Sequence, residues 1–348
     1  MTSPNEKTLK FIRGSTIGVA IFGLVSVIIL GSLYLNGLME IQKREEDFQN
    51  RISGFLNPFY FSENKIIAKS AMVVDGETGI VLYAKNENEV LPIASLTKIM
   101  ATLVAGQYLE QNNIKTAEIG NVNILSPADA NFVSGEVWDV EDLLTAMMLS
   151  SSNVAAESLF NEVIKSQLIN GSSQEPITLV AMMNEIAQSL GLNKTSFLNS
   201  TGLDIKDESV EGGISFGGVS TAREVVSSAR ILEAVFPEIA SKTALREIEL
   251  YSKDGFPHKF LNTDELIERI PIYFSKTKYT DSAGGTLIVK TKIDERFVYI
   301  VVLGSTKDGR FSDIEKLYNN SAVLFEDLSN RRVALEELKE HYLIGYDY

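Results

Sequence analysis

The stretch Ile93-Ala94-Ser95-Leu96-Thr97-Lys98-Ile99-Met100 places a serine three residues before a lysine and continues into an apolar run. A helix starting near Ser95 puts positions i and i+3 on one face, so hydroxyl and ammonium become neighbours. Pro92 and the small Ala94 just upstream suit such a start. The serine's own N–H would point out of the helix N-terminus, where negative charge is stabilised. A lysine desolvated against the next apolar turn has a lowered proton affinity and serves as acceptor for the serine proton. This Ser-x-x-Lys route to a nucleophilic serine needs no histidine. Taken alone, the same spacing also describes a capped surface helix, because a chain rich in serine and lysine produces several by chance.

Composition narrows the choice. The 348 residues suffice for one large or two medium domains. A formal charge of −14 argues against nucleic acid as partner, since phosphate binding needs clustered Lys and Arg. The absence of cysteine excludes disulfides, thiolate nucleophiles and cysteine-ligated metals. Only His258 and His341 could serve as base of a Ser-His-Asp triad, and neither lies in a recognisable motif. A histidine-based zinc site is disfavoured for the same reason. No metal and no cofactor is expected.

Residues 1–13 form a short tail carrying Lys7, Lys10 and Arg13 against Glu6. Residues 14–39 contain no charge and are long enough to cross a bilayer as a helix. Cations before that run and acids after it put the N-terminus in the cytoplasm and everything downstream outside the cell membrane. Residues 40–64 read as a juxtamembrane stalk, whose aromatics Phe55, Phe59, Tyr60 and Phe61 would lie at the interface or pack on the domain. A globular domain is expected over 65–328, followed by a charged tail, 329–348.

Within the domain, 71–75 and 80–84 around a Gly-Glu-Thr-Gly turn read as a hairpin. Helices are expected from Ser95 to about Tyr108, as one or two over 139–160, over 177–190, from an N-cap serine at Ser220, and over 312–328. Strands return after Pro271, over 285–290 and 296–303. Such an order suggests an α+β architecture, one sheet assembled from both chain ends with a helical lobe between. A site is expected in the cleft between lobes.

Three separated stretches, Ser95-x-x-Lys98, Ser151-Ser152-Asn153 and Lys276-Thr277-Lys278, resemble in order and spacing the three boxes of the penicillin-binding serine DD-peptidases. Their best match is the low-molecular-mass D-alanyl-D-alanine carboxypeptidases (peptidase S11-like). Flanking stretches fit as well: Val74-Asp75, Leu82-Tyr83, Leu190-Gly191-Leu192, Thr201-Gly202-Leu203, Ser220-Thr221-Ala222 and Ala283-Gly284-Gly285. The resemblance covers roughly residues 65 to 325 and implies the β-lactamase/penicillin-binding-protein fold, an antiparallel sheet flanked by helices plus an all-helical lobe.

It also implies roles. Ser95 would attack the carbonyl of the penultimate D-alanine of a peptidoglycan stem peptide, giving an acyl-enzyme that water hydrolyses. Lys98 would take its proton, with Lys276 lowering the Lys98 pKa by like-charge repulsion. Ser151 would relay the proton to the leaving amine, and Asn153 would hold Lys98 and the substrate backbone. The N–H groups of Ser95 and Tyr279 would form the oxyanion hole. Thr277 would bind the terminal carboxylate, together with Arg310, which aligns across a one-residue gap. β-Lactams would acylate the same serine.

Two departures stand out. Lys278 replaces the glycine of the third box, where glycine lets substrate lie close to the strand. Strand alternation puts Lys278 on the side of Lys276, where it would crowd the cleft or add a cation for a terminal carboxylate. Val154 stands where the family usually carries aspartate after the asparagine. The leading expectation is a membrane-anchored DD-carboxypeptidase. A DD-endopeptidase acting on crosslinks is the nearest rival, and a non-catalytic peptidoglycan binder is the reading that Lys278 keeps open. A class A-type β-lactamase fits less well, because no deacylating glutamate motif is evident.

Overall fold

The computed structural model describes residues 59–62, 65–122, 124, 127–169, 177–206 and 214–330 of the chain. The expected tail, membrane anchor, most of the stalk and nearly all of the charged C-terminal tail lie outside these residues. Among the described residues no helix is long and apolar enough to cross a membrane.

The sheet is built from both ends of the chain. β1 (Ser70–Asp75) and β2 (Val81–Lys85) form the expected hairpin. After the helices come a hairpin of β3 (Glu247–Tyr251) and β4 (Pro257–Leu261), then β5 (Ile272–Thr280), β6 (Gly284–Ile293) and β7 (Arg296–Ser305). The main sheet runs β5-β6-β7-β1-β2, antiparallel throughout, so β5 is an edge strand. The β3–β4 pair was not anticipated, although Glu247-Ile248-Glu249-Leu250 alternates with period two.

Period-two geometry explains why the central strands read as unbroken apolar runs. Successive side chains point to opposite faces, and both faces are covered. Met72, Val74, Ile288, Val301 and Leu303 join the core under the helical lobe. Ala71, Val73, Leu287, Val289, Ile300 and Val302 join a second core on the opposite face. The second core is closed by the last helix, which brings Phe311, Ile314, Leu317 and Leu324.

The helices are α1 (Thr97–Gln111), α2 (Val140–Leu149), α3 (Asn153–Ile169), α4 (Leu179–Ser189), α5 (Ala222–Val235), α6 (Pro237–Lys242) and α7 (Gly309–Asn330). Every residue of α1 from Thr97 to Gly106 is buried. A helix covered on all sides is a core helix, and here it contacts α2, α3, α4 and α5. A lysine one residue into it is therefore taken out of water by the fold itself.

Two local expectations are corrected, and one alternative is decided. The helix does not begin at Ser95: a 3-10 turn, Ala94–Leu96, precedes it, with Ala94 at φ +47°. Ser220 does not cap α5. It pairs with Leu91 as the last residue of a short strand, Gly218–Ser220, and this holds it extended. The cap passes to Thr221, whose hydroxyl accepts from the Glu224 N–H at 3.1 Å. Of the stalk aromatics, Tyr60 and Phe61 pack on the domain, within a helical turn at Phe59–Ser62. The Tyr60 hydroxyl donates to Asp327, and Phe61 stacks on Tyr83 at 4.9 Å.

Candidate active site

Ser95 and Lys98 come together at the sheet-facing end of α1, both fully buried. Lys98 Nζ donates to Ser95 Oγ at 3.1 Å, to Asn153 Oδ1 at 2.9 Å and to the Thr201 carbonyl at 2.7 Å. Ser95 Oγ reaches the same carbonyl at 3.4 Å. The Thr201 carbonyl is aimed by the turn expected from Asn199-Ser200-Thr201-Gly202. Asn199 Oδ1 accepts from the N–H groups of Thr201 and Gly202, and Asn199 Nδ2 donates to the Leu203 carbonyl. That a main-chain carbonyl from 103 residues away would complete the lysine's shell was not legible in any motif.

Burial lowers the Lys98 pKa to about 7. The Lys278 ammonium pushes it in the same direction, while Asp129 and Glu157 oppose. Lys98 and Lys276 repel each other as expected, the effect falling on Lys276, and Lys278 acts on both. Lys276 is itself fully buried, and desolvation, then Lys98 and Lys278, hold its pKa well below the usual lysine value.

Ser151 sits between α2 and α3 at φ +62°, fully buried, and its hydroxyl has no hydrogen-bond partner among the described residues. Left-handed backbone at a non-glycine residue is strained and is held only where surroundings over-determine it. Here those surroundings centre on Asp129, which sequence reasoning missed. Its carboxylate accepts from Ser152 Oγ at 2.8 Å, from the N–H groups of Asn153 at 2.7 Å and Val154 at 3.1 Å, and from Asn153 Nδ2 at 3.2 Å.

The edge strand β5 forms the other wall, with Lys276 and Thr277 buried, Lys278 half-buried and Tyr279 exposed. Thr277 Oγ1 donates to the Thr286 carbonyl at 2.9 Å and accepts from Arg310 Nε at 2.8 Å. Arg310, at the start of α7, thus meets the third box despite the gap in its alignment. Lys278 lies close enough to act electrostatically on Lys98 and Lys276, and burial lowers its own pKa against the pull of Asp129. Alternation along β5 puts it on the same side as Lys276. Lys98, Lys276, Lys278 and Arg310 make the site cationic in a chain of net charge −14.

Of the two histidines, His258 lies outside this group. Its ring bridges the Asn131 carbonyl and the Glu136 carboxylate. A groove of about 530 Å³ on the helical lobe, lined among others by Ile114, Asp139, Glu141 and Phe236, contains none of the site residues.

Comparison with known proteins agrees with this geometry. The family model for D-alanyl-D-alanine carboxypeptidase (peptidase S11) matches residues 57–307. The chain is 31% identical over 258 residues to D-alanyl-D-alanine carboxypeptidase DacF of Bacillus subtilis, covering 72% of this chain and 61% of that one. It is 29% identical over 261 residues to a D-alanyl-D-alanine endopeptidase of Escherichia coli, covering 74% and 77%. Among solved structures it resembles the ampicillin-bound penicillin-binding protein D2 of Listeria monocytogenes, with TM-score 0.59 and 28% identity over 73% of this chain and 97% of that one. Similarity over most of the chain and a buried Ser–Lys pair lead to one conclusion: the chain belongs to the D-alanyl-D-alanine carboxypeptidase family of serine peptidases.

Proposed function

We propose that this protein is a membrane-anchored DD-carboxypeptidase that removes the terminal D-alanine of peptidoglycan stem peptides through an acyl-enzyme on Ser95. The observation that carries the reading is the buried Lys98 ammonium held at once by Ser95 Oγ, Asn153 Oδ1 and the Thr201 carbonyl, with its pKa brought to about 7. Near neutral pH a large fraction of such a lysine is the free amine, which accepts the Ser95 proton as Oγ attacks the penultimate carbonyl. The tetrahedral oxyanion is received by the N–H groups of Ser95 and Tyr279. Collapse breaks the C–N bond, and Ser151 passes a proton to the departing amine of D-alanine. Water, deprotonated by the same lysine, then hydrolyses the ester. Thr277 and Arg310 take the terminal carboxylate, a planar anion that suits a guanidinium. β-Lactams would stop at the ester. The uncharged run at 14–39 supports an anchor with the catalytic domain outside the membrane.

A second reading, DD-endopeptidase, is favoured by the relatives of that name in Escherichia coli and Pseudomonas aeruginosa. Both reactions break an amide on a D-alanine carbonyl. The deciding experiment incubates the purified full chain with a peptide ending in D-Ala-D-Ala and with a crosslinked dimer, each beside Ser95→Ala. Release of D-alanine from the first, lost in the variant, is the expected result. Release that survives Ser95→Ala would overturn the mechanism, and cleavage of the dimer alone would make the second reading the correct one.

A further inference from the structure

The sequence offers no reason to look at Asp129. It lies 24 residues before Asn153, outside all three boxes, in a short 3-10 turn, Asp129–Asn131. Yet it is fully buried, and four donors converge on its carboxylate from Ser152, Asn153 and Val154. A carboxylate taken out of water is costly unless its oxygens are occupied, so this one was placed where donors are dense, at the first turn of α3.

The consequence falls on one side chain. Asn153 has a carbonyl oxygen and an amino group at its tip, and only their orientation decides what it offers Lys98. As placed, Nδ2 donates to Asp129 Oδ2 and Oδ1 accepts from Lys98 Nζ. Rotated by half a turn, the amide would set donor against ammonium on one side and acceptor against carboxylate on the other. Both contacts would be repulsive. Val154, at the position where the resemblance leads one to expect aspartate, is apolar and buried in the core. The carboxylate at this corner comes from the facing loop. That loop is tied down independently: Asn131 Nδ2 donates to the Lys259 carbonyl at 2.9 Å, and the Asn131 carbonyl meets His258 Nδ1 at 2.6 Å.

We infer that Asp129 is a positioning residue of this site, holding Asn153 with Oδ1 toward Lys98 and so keeping the general base in register with Ser95. The inference rests on the reading that Ser95 is acylated, and the test separates the two. Asp129 also sets the charge around Lys98, which it shares with Glu157 on α3 and with Lys276 and Lys278 on β5. Its negative charge favours the protonated lysine.

The test is the rate of acylation of the full chain by a fluorescent penicillin from pH 5 to 9, for wild type and Asp129→Asn, each checked for folding by thermal melting. Loss of an aimed charged hydrogen bond is expected to slow acylation by about 10- to 100-fold. At the same time the acid limb should move to lower pH, because a carboxylate facing Lys98 has gone. A merely structural role would slow the reaction without that movement. An Asp129→Asn rate within twofold of wild type, or a slower rate with the limb unmoved, would overturn the inference. If wild type itself takes no label, the acylation reading fails instead. Should Asp129→Asn not fold, Asp129→Glu carries the test. The same charge, displaced by a methylene, is expected to keep the limb and lose rate by about fivefold or more, and an unchanged rate would overturn the inference.

Discussion

The carbonyl of Thr201 accepts the Lys98 ammonium at 2.7 Å, and Gly202, the next residue, has no room for a side chain against Ala94. A Cβ on Gly202 would stand 1.9 Å from the Ala94 carbonyl oxygen, and the residue already has φ +77°. The turn that completes the lysine's shell is thus pressed against the residue preceding the serine.

Gly202→Ala is expected to destabilise by roughly 2–5 kcal/mol, combining left-handed strain with a backbone clash. It should also slow acylation, because relief moves either Thr201 or Ala94. Gly135→Ala is the control. It shares a positive φ, +88°, but meets nothing within 4 Å, so it should cost about 1 kcal/mol and leave acylation alone. Equal melting losses in the two variants would show that the contact at Ala94 does not matter.

Acylation should depend on pH through Lys98. With a pKa of about 7, the lysine is protonated below that value and cannot take the Ser95 proton. The rate should therefore fall about tenfold per pH unit below pH 6 and level off above pH 8. Fluorescent-penicillin labelling across this range checks it. A rate that declines between pH 6 and 8 has the wrong sign for a lysine base.

Lys278→Gly tests the departure in the third box. Removing an ammonium that disfavours a second positive charge raises the Lys98 pKa, as does the water the smaller residue admits. The acid limb should shift to higher pH while the plateau rate rises, since glycine lets an acyl donor approach the strand. A limb that stays in place would mean that Lys278 is not felt by Lys98.

Arg310→Ala should act on binding of the terminal carboxylate. Loss of a charged hydrogen-bond donor predicts a decrease of about 10- to 100-fold in kcat/KM for a peptide ending in D-Ala-D-Ala. The same peptide with its C-terminus amidated should be cleaved about equally by wild type and variant. Equal losses on both peptides would point to disruption of Thr277, which Arg310 Nε reaches at 2.8 Å.

Much of this molecule is legible in its sequence. The i,i+3 spacing of Ser95 and Lys98 needs only local helical geometry, and the two-sided apolar runs of β1, β6 and β7 need only the pleat of a strand. The order of the three boxes, with the resemblance they carry, placed Asn153 beside Lys98 and Thr277 near Arg310. Those pairings depend on residue types that the family's chemistry requires.

What remained hidden depends on contacts between segments that share no motif. The Thr201 carbonyl reaches Lys98 through a main-chain atom, which carries no residue-type signal at all. Asp129 reads in sequence as one more acid in an acidic chain, and only the fold lays its loop against the start of α3. The Lys278 charge is felt at Lys98 only because the fold lays β5 against the turn that carries Ser95. Spacing along the chain fixed which groups could react. Burial, decided by packing, lowers the proton affinity of Lys98 and Lys276.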